Sequence, residues 1–492
     1  MDWQALQQSM PRDGDLPGRA ARLLALTSVL DGRHYDHLRH SFSDELSGAG
    51  EYIPLGTRRP SVRAGICRTV VDDSVSLLFS EGHFPVIHAG SKPTVDAIAA
   101  WVKDRRLNEV MSDAATRGSV GSIALLFRVL RGKPHVSVLT TAYLTPQWDP
   151  EDPDSLLSVT ERYKVRGVDL RAQGYVVPPD SDGESFWFQR SWDADEETWF
   201  LPLSVANARE GREPVRDAER SVIHGLGFLP IVWIRNLSGG DDIDGASTFE
   251  AAISTAIEVD YQLSQAGRGL KYASDPRLVI RDPGGTDRPL TGGAANAITL
   301  SDPTAEAKFL EISGSAAGAV LEHVRYLRAV ALESVHGSRA DPDKLSAAQS
   351  GRAMELLHQN LIWLADRLRT SYGEGALLSL ARMLCAASAK VSDGLLIGGQ
   401  RVRDLSPDGL SLVWPPWFAP TATDMQQTAT TLTALTGGGI LSEATATRIV
   451  APVLDIEDVA AERALVLGEV EAQQARAQAS AAQVKATEVL AA

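Results

Sequence analysis

The sequence has little cysteine and no long apolar run, and each shortage excludes a class of protein. Only two cysteines, Cys67 and Cys385, occur in 492 residues, so we expect neither a disulfide framework nor a cysteine metal site. Both lie in apolar runs, which predicts buried thiols. No run approaches the ~20 apolar residues of a membrane span, and the first residues lack the pattern of a signal peptide. We therefore expect a protein made in a reducing cytoplasm, without a membrane partner.

Motifs for nucleotide binding and catalysis are also missing. There is no G-x-x-x-x-G-K-[ST] loop for phosphate, and Pro230 interrupts the sequence after Gly225 and Gly227 where a dinucleotide fingerprint needs a helix. Neither H-E-x-x-H nor C-x-x-C occurs, and neither Ser119 nor Ser315 lies in a G-x-S-x-G elbow. These absences favour a protein that is not an enzyme and that needs no cofactor.

The charge balance argues against tight nucleic-acid binding. The chain has a formal net charge of −15 and a pI near 5.2, whereas binding to a phosphate backbone needs clustered lysine and arginine. Many bacterial cytosolic proteins are equally acidic, so the charge alone identifies no function.

Clusters that resemble metal or acid–base sites have plainer explanations. His34, His37 and His40 are spaced three apart, but each step drifts further around a helix and no carboxylate framework accompanies them. A surface helix or loop is the preferred interpretation. Asp72 and Asp73 are adjacent, and adjacent helical side chains point about 100° apart, which favours a solvated helix face.

The first half of the chain changes from helical to strand-like patterns. Residues 16–31, 63–79 and 95–110 are predicted to form helices, the last one amphipathic. Strand-like runs follow and predict an antiparallel sheet: 123–130, 136–139, 159–165, 186–188, 199–201 and 228–234. Four tryptophans in this region could stack bases, but without a basic stripe beside them a sheet core or an intersubunit contact is favoured: Trp148, Trp187, Trp192 and Trp199.

Three long helical patterns dominate the region from Asp244 to Cys385. Ser247 and Glu250 have the spacing of a capping box, which predicts a helix that starts at Ser247 and ends near Gly267 and Gly269. Its stripe contains Phe249, Ile253, Ala256, Asp260, Leu263 and Gly267. A β-rich insert follows, with predicted strands at 278–280, 297–300 and 309–312. A second helix runs from after Ser315 to Gly337, and a third carries Met354, Leu357, Leu361, Leu364 and Leu368.

The last part of the chain is predicted to form a strand pair and three helices. Residues 402–414 predict two strands joined by a turn at Pro407, Asp408 and Gly409. Thr423, Ser442 and Asp455 mark the predicted starts of the three helices, the last of which is long and acidic.

Short motifs in the second half carry a resemblance to a known family. They are FLPIVWIRN at 228–236, FLEISG at 309–314, QSGRAM at 349–354, YGE at 372–374, WPPWFAP at 414–420 and GILSEAT at 439–445. In this order and spacing, with a capped helix after the first motif, they resemble portal proteins of double-stranded-DNA bacteriophages, the head–tail connectors. The first half resembles the family only in pattern.

The resemblance implies an α+β, mainly α, portal fold with long stem helices and antiparallel β elements. It would divide the chain into a wing (1–245), a first stem helix (246–270), a β-rich clip (271–314), a second stem helix (315–336), a tunnel loop (337–349), a long wing helix (350–388), a wing β segment (389–422), and crown helices with a tail (423–492).

The resemblance also implies partners and contact residues. Such a chain would form a ring, in the family a dodecamer, at one capsid vertex of the virion, after assembly in the host cytoplasm. It would bind the terminase large subunit, head-completion or adaptor proteins, and major capsid and scaffold proteins, and double-stranded DNA would pass non-specifically. The implied tunnel-loop residues are Ser338, Arg339, Asp341, Asp343 and Lys344, and the implied clip contacts are Arg281, Asp282, Asp287 and Arg288.

Two other functions remain open from the sequence. A hydrolase-like enzyme would use His83, His88 and nearby acids, although ordinary loop residues around Pro85 explain both histidines better. Another phage structural protein, such as a capsid or adaptor protein, would give no reason for a β-rich insert between two helices.

Overall fold

The fold was analysed in a computed structural model. The structure describes residues 2–274, 277–281, 304, 306–310, 315–337, 351–418, 421–451, 456 and 459–491. They form a mixed α+β chain with two compact units, one of Met1–Arg339 with Gln359–Pro415 and one of Ala340–His358 with Pro416–Ala492.

The α-helices have the following bounds: α1 Trp3–Ser9, α2 Gly18–Leu30, α3 Ile66–Phe79, α4 Lys92–Asp104, α5 Leu107–Gly118, α6 Gly167–Ala172, α7 Val205–Arg209, α8 Ile253–Ser274, α9 Ser315–Ser334, α10 Gly351–Leu357, α11 Gln359–Leu368, α12 Leu378–Lys390, α13 Ala422–Gly437, α14 Glu443–Val450 and α15 Val459–Ala491. A π-helix, Arg369–Leu377, joins α11 to α12.

The strands have the following bounds: β1 His40–Ser41, β2 Arg58–Arg59, β3 Val86–His88, β4 Ser122–Leu130, β5 Lys133–Leu139, β6 Leu144–Trp148, β7 Leu156–Arg166, β8 Ser185–Trp192, β9 Glu196–Phe200, β10 Leu203–Ser204, β11 Arg216–Ile223, β12 Ile231–Arg235, β13 Leu237–Gly240, β14 Gly245–Ala246, β15 Arg277–Arg281, β16 Glu306–Leu310, β17 Leu395–Ile397, β18 Gln400–Val402 and β19 Ser411–Val413.

Two antiparallel sheets build the core of the first unit. One has the order β11-β9-β8-β7-β6, with β10 paired to β8, and the other has the order β12-β4-β5. The β4–β5 hairpin turns through Arg131 and Gly132, whose φ angles of 54° and 76° suit the right-handed strand twist. Apolar side chains from both sheets pack together, Trp192 and Val159 from one sheet and Leu126 and Ile231 from the other. The predicted antiparallel sheet is thus confirmed, as two sheets.

The helix predicted at 95–110 is wrong. The chain there forms α4 and α5, and Arg106 lies between them with a left-handed φ of 47°. The break lets both helices pack, because α4 buries Ile98 and Trp101 while α5 buries Leu107 and Met111. A continuous helix could not present both sets to the core.

The capping box predicted at Ser247 is also wrong. A 3-10 turn at Glu250–Ala252 precedes α8, and no side chain caps it. The carboxylate of Glu250 instead accepts a hydrogen bond from Arg22 Nη2 at 2.7 Å. At the other end α8 continues through Gly267 and Gly269 to Ser274, since neither glycine has a φ that breaks a helix.

The third helical pattern is interrupted, and the prediction of a strand pair within 402–414 is wrong. The pattern divides into α10, α11, the π-helix and α12. The predicted pairing within 402–414 does not form, because β18 pairs with β17 and β19 pairs with β3. The distant β3 lies more than 300 positions away in sequence, so no local pattern indicates it.

The second unit buries few of its described side chains. Leu432 and Ala451 are the ones below one-tenth exposure among its described residues. Thr421, not Thr423, caps α13 in a capping box with Asp424, whereas Ser442 caps α14 as predicted. Residue 455, the predicted start of the last helix, lies outside the described residues, and α15 covers Val459–Ala491.

Candidate functional site: a helical hairpin and its base

α8 and α9 contact each other and form a helical hairpin within the first unit. The two helices have 22 and 20 residues, which makes them about 33 and 30 Å long. β15 and β16 pair antiparallel between them in sequence, from Arg277 with Leu310 to Arg281 with Glu306. The strand pair turns the chain back between α8 and α9.

Asp260 of α8 is buried where the helix meets the rest of the unit. Its side chain is 4% exposed and accepts hydrogen bonds from Tyr35 Oη at 3.0 Å and from the Ala64 backbone N–H at 2.7 Å. Burial raises the pKa of Asp260 to about 6, although both hydrogen bonds and Arg63 act in the opposite direction. The carboxyl is therefore held by donors in an environment that disfavours its charge.

The segment before α3 wraps around the same part of α8. Ser264 Oγ accepts hydrogen bonds from the backbone N–H groups of Ser61 and Val62, each at 3.0 Å. Tyr261 Oη donates to the Arg58 carbonyl at 2.7 Å. The buried Arg58 side chain in turn donates to the Ile53 carbonyl. The contacts of Ser264 and Tyr261 connect residues about 200 positions apart and fix the direction of α8.

A buried ion pair lies where the chain approaches the hairpin. Asp244 is fully buried and accepts from Arg19 Nε at 2.6 Å and Nη2 at 2.7 Å, and from the Ser122 hydroxyl. Arg19 Nη1 also donates to the carbonyls of Thr141 and Leu144. The pair is bidentate and its remaining groups are bonded, which is the arrangement a buried charge requires. We call Asp244, Asp260, Tyr261 and Ser264, with these partners, the base of the hairpin.

α9 contrasts with α8 because most of its described side chains are exposed. Val324 and Ala331 are buried on one side, whereas Tyr326 is 67% exposed on the opposite side. By helical period, the exposed residues Glu322, Ala329 and Glu333 share the side of Tyr326. We call these four residues the α9 face.

Most of the predicted contact residues lie outside the described residues. This holds for Ser338, Arg339, Asp341, Asp343 and Lys344 of the implied tunnel loop, and for Asp282, Asp287 and Arg288 of the implied clip. Arg281 is described: it is exposed, and it ends β15 opposite Glu306. The two terminal strands of the predicted β-rich insert are present as β15 and β16, and residues 297–300 lie outside the described part.

The described residues contain no metal-binding cluster, that is, no group of three or more histidines, cysteines, aspartates or glutamates suited to hold an ion. His34 is buried, so its predicted surface position is wrong, and burial lowers its pKa to about 4. Asp72 pairs with Arg68 on the surface of α3. His83 bonds to the Ser80 hydroxyl at 2.7 Å in an exposed turn. Cys67 and Cys385 are buried thiols, as predicted.

The tryptophans of the larger sheet form part of its core. Trp192 is 1% exposed and Trp187 is 6% exposed. The Arg190 guanidinium lies 4.7 Å from the Trp192 ring centre and 5.3 Å from that of Trp199, and it pairs with Glu161. The stacked cation is therefore neutralised inside the sheet, and these rings offer no open platform for bases.

Asp260 is the residue whose role the sequence analysis missed. The sequence pattern includes Asp260 in the stripe of the first long helix and predicts no separate function for it. A carboxylate inside an otherwise apolar stripe was the available signal, because such a group is buried only when donors meet it. Its donors, Tyr35 and Ala64, could not be identified from sequence.

None of the α-helices in the described part of the chain has the length and apolar character needed to cross a membrane. No family model matches the chain, and no curated protein matches it. Among solved structures, the chain is similar to one described as "Neck of empty GTA particle computed with C6 symmetry". The match has 13% identity and a TM-score of 0.37, and it covers 78% of this chain and 88% of that chain. A likeness at this TM-score carries no argument about function.

Proposed function

We propose that this chain is the portal protein of a double-stranded-DNA bacteriophage. It would form a ring at one capsid vertex through which the genome is packaged and ejected. The observation that carries the proposal is the hairpin of α8 and α9, with the strand pair β15–β16 at its far end. This is the order that the sequence motifs imply for a stem and a clip.

The base gives the hairpin the property that a channel wall needs. A ring of such hairpins would line a channel about 30 Å long, and each hairpin would have to keep its direction while DNA passes. The bonds of Asp260, Tyr261 and Ser264 hold α8 by buried polar contacts, which have defined geometry. Apolar packing alone specifies direction less strictly.

The α9 face supports assembly with further copies. Tyr326 exposes an aromatic ring between Glu322 and Glu333, and tyrosine is enriched at protein interfaces. In a ring, one surface of each subunit meets a different surface of the next, and a closed rotation prevents open filaments. The negative net charge of the chain would let DNA slide without tight binding.

The proposed partners follow from the proposed role. They are the terminase large subunit, head-completion or adaptor proteins, major capsid and scaffold proteins, and DNA that passes non-specifically. The virion is the proposed location, with assembly in the host cytoplasm. The sequence has no Walker loop, so the energy for packaging would come from a separate ATPase. The nine tunnel-loop and clip residues remain the proposed contacts.

Negative-stain microscopy of the purified full-length chain, together with its mass in solution, tests the proposal. We expect rings with a central channel and a mass of roughly ten or more chains. Particles of one or two chains at every soluble concentration would count against it. They would favour the enzyme alternative and call for an activity screen.

A further inference from the structure

β12 has an outer edge whose backbone groups are unpaired. Phe127 N–H donates to the Pro230 carbonyl at 2.8 Å, and Asn236 N–H donates to the Gly121 carbonyl at 2.9 Å. Even-numbered residues of this segment therefore face β4. In an antiparallel pair the alternate residues face the opposite way, so Ile231, Trp233 and Arg235 direct their N–H and C=O groups outward. Within the described part of the chain, these groups have no hydrogen-bond partner.

Other edges in the two sheets carry features that discourage pairing. β11 has alternating charges and a register shift between Asp217 and Val222. β6 contains Pro146 and a register shift next to Trp148, and β5 contains Pro134. Charges, bulges and prolines on an edge strand prevent it from accepting another strand. β12 has the sequence Ile-Val-Trp-Ile-Arg, with one charge at its end, so it is the least protected of these edges.

The edge borders a groove of about 740 Å³. The groove is also lined by Ser371 and Gly375 of the π-helix, Ser379 of α12, and Leu156 and Leu157 at the start of β7. A single extended segment in this groove would add one strand to the edge.

Two polar groups in the groove indicate what the segment would carry. The exposed Arg235 guanidinium lies over the Trp148 ring, 5.1 Å from its centre, and it has no ion-pair or hydrogen-bond partner among the described residues. It is the one cation that lines the groove there, and Asp154 is the one carboxylate. The Trp148 indole N–H is also without a partner in the described part. An acidic residue beside Arg235 would satisfy the cation.

We propose that the groove beside β12 binds an extended segment of a partner protein as an added strand, with an acidic side chain next to Arg235. Backbone hydrogen bonds to Ile231, Trp233 and Arg235 would supply affinity, as in other cases of strand addition. The proposal does not depend on ring formation.

Binding of designed peptides to the full-length chain tests the proposal. The probe is a fluorescent hexapeptide that alternates valine and threonine and carries one aspartate. Two comparison peptides carry lysine in place of aspartate, or N-methyl groups on alternate backbone nitrogens. By fluorescence anisotropy we expect saturable binding of the aspartate peptide and at least tenfold weaker binding of both others. Hydrogen exchange at 229–236 should slow when the aspartate peptide is added.

Two variants locate the binding to the groove. Arg235→Glu should weaken the aspartate peptide at least tenfold and strengthen the lysine peptide. Gly375→Leu should abolish binding of both, because a Cβ there meets only Thr370 O, at 3.5 Å, and the longer side chain fills the groove without a steric conflict at its root. Arg216→Glu, on the protected edge strand β11, is the matched control and should leave every peptide unchanged.

Three results would overturn the proposal. The first is no saturable binding of the aspartate peptide up to millimolar concentration. The second is equal affinity for the N-methylated peptide, which would mean that the backbone edge is not used. The third is a change in the assembly state of the chain, instead of in peptide affinity, in Arg235→Glu and Gly375→Leu, which would assign the groove to a second copy.

Discussion

The two helices of the hairpin differ in what they bury. In α8, the side chains of Asp260, Tyr261 and Ser264 form hydrogen bonds with the backbone of the segment before α3. α9 buries Val324 and Ala331 on one side and leaves Tyr326 exposed on the other. One helix is therefore fixed by the fold of its own chain, whereas the other has surface left to contact something else. Substitutions should separate these roles, because base residues should affect unfolding and the α9 face should affect assembly.

The largest effect on stability is expected at Asp244. Asp244→Ala removes the carboxylate that accepts two hydrogen bonds from Arg19 and leaves a partly buried guanidinium without its anion. Breaking a buried pair in this way costs about 3–5 kcal/mol. The free energy of unfolding in urea measures the loss.

Glu250→Ala is the matched control for Asp244→Ala. Glu250 also pairs with an arginine of α2, Arg22, but both side chains are about one-third exposed. Solvent screening limits that pair to at most about 1 kcal/mol. Similar losses for the two variants would show that the base does not hold the hairpin as described.

A smaller effect, with a distinct pH dependence, is expected at Asp260. Burial raises its pKa from 3.8 to about 6, so between these pH values the folded chain holds a proton that the unfolded chain has released. The contribution of the Asp260 carboxyl to the free energy of unfolding is therefore fully present below about pH 4, and it falls as the pH rises to 6. The shift corresponds to about 3 kcal/mol at most.

Asp260→Asn isolates this contribution, because asparagine cannot ionise but can still accept the Ala64 N–H. The difference in unfolding free energy between the parent and Asp260→Asn should change steadily from pH 4 to 6 and be flat above it. Asp72→Asn, at an exposed residue of α3, should show no such trend. A flat difference for Asp260→Asn would mean that the carboxyl is already ionised at pH 4 in the folded chain.

Local patterns in the sequence predicted the helices and strands better than their ends and partners. The helical period located α2, α3, α8 and α9, and the strand-like runs at 123–130 and 136–139 located the β4–β5 hairpin. Helices and strands of this kind depend on residues that are close in sequence. A hydrophobic period of 3.6 residues for a helix, or 2 for a strand, therefore indicates them directly. The helix end predicted at Gly267 and Gly269 is wrong, because glycine costs only about 1 kcal/mol within a helix and α8 continues to Ser274.

The features that distant residues decide were not predictable. Glu250 fits a capping box, but Arg22 lies close enough to take its carboxylate. Asp260 was identified as a stripe residue, and its function depends on Tyr35 and on the segment before α3, about 200 positions away. The free edge of β12 likewise depends on which strand pairs with β4. Of the implied contact residues, Arg281 alone falls in the described part, so the others stay predictions.

The smallest effect on stability, and the largest on assembly, is expected at Tyr326. Tyr326→Ser removes an apolar ring that is 67% exposed, so unfolding of the isolated chain should change by no more than about 0.5 kcal/mol. If the α9 face contacts a neighbouring subunit, the interface loses a tyrosine that it would bury, and the concentration needed for rings should rise at least about tenfold.

Tyr52→Ser is a close control, since Tyr52 is 66% exposed and lies away from α9 in sequence. Sedimentation across a concentration series measures both variants. Equal assembly of Tyr326→Ser and Tyr52→Ser would remove the α9 face from the interface, while rings lost only in Tyr326→Ser would assign α9 to subunit contact and leave α8 as the anchor.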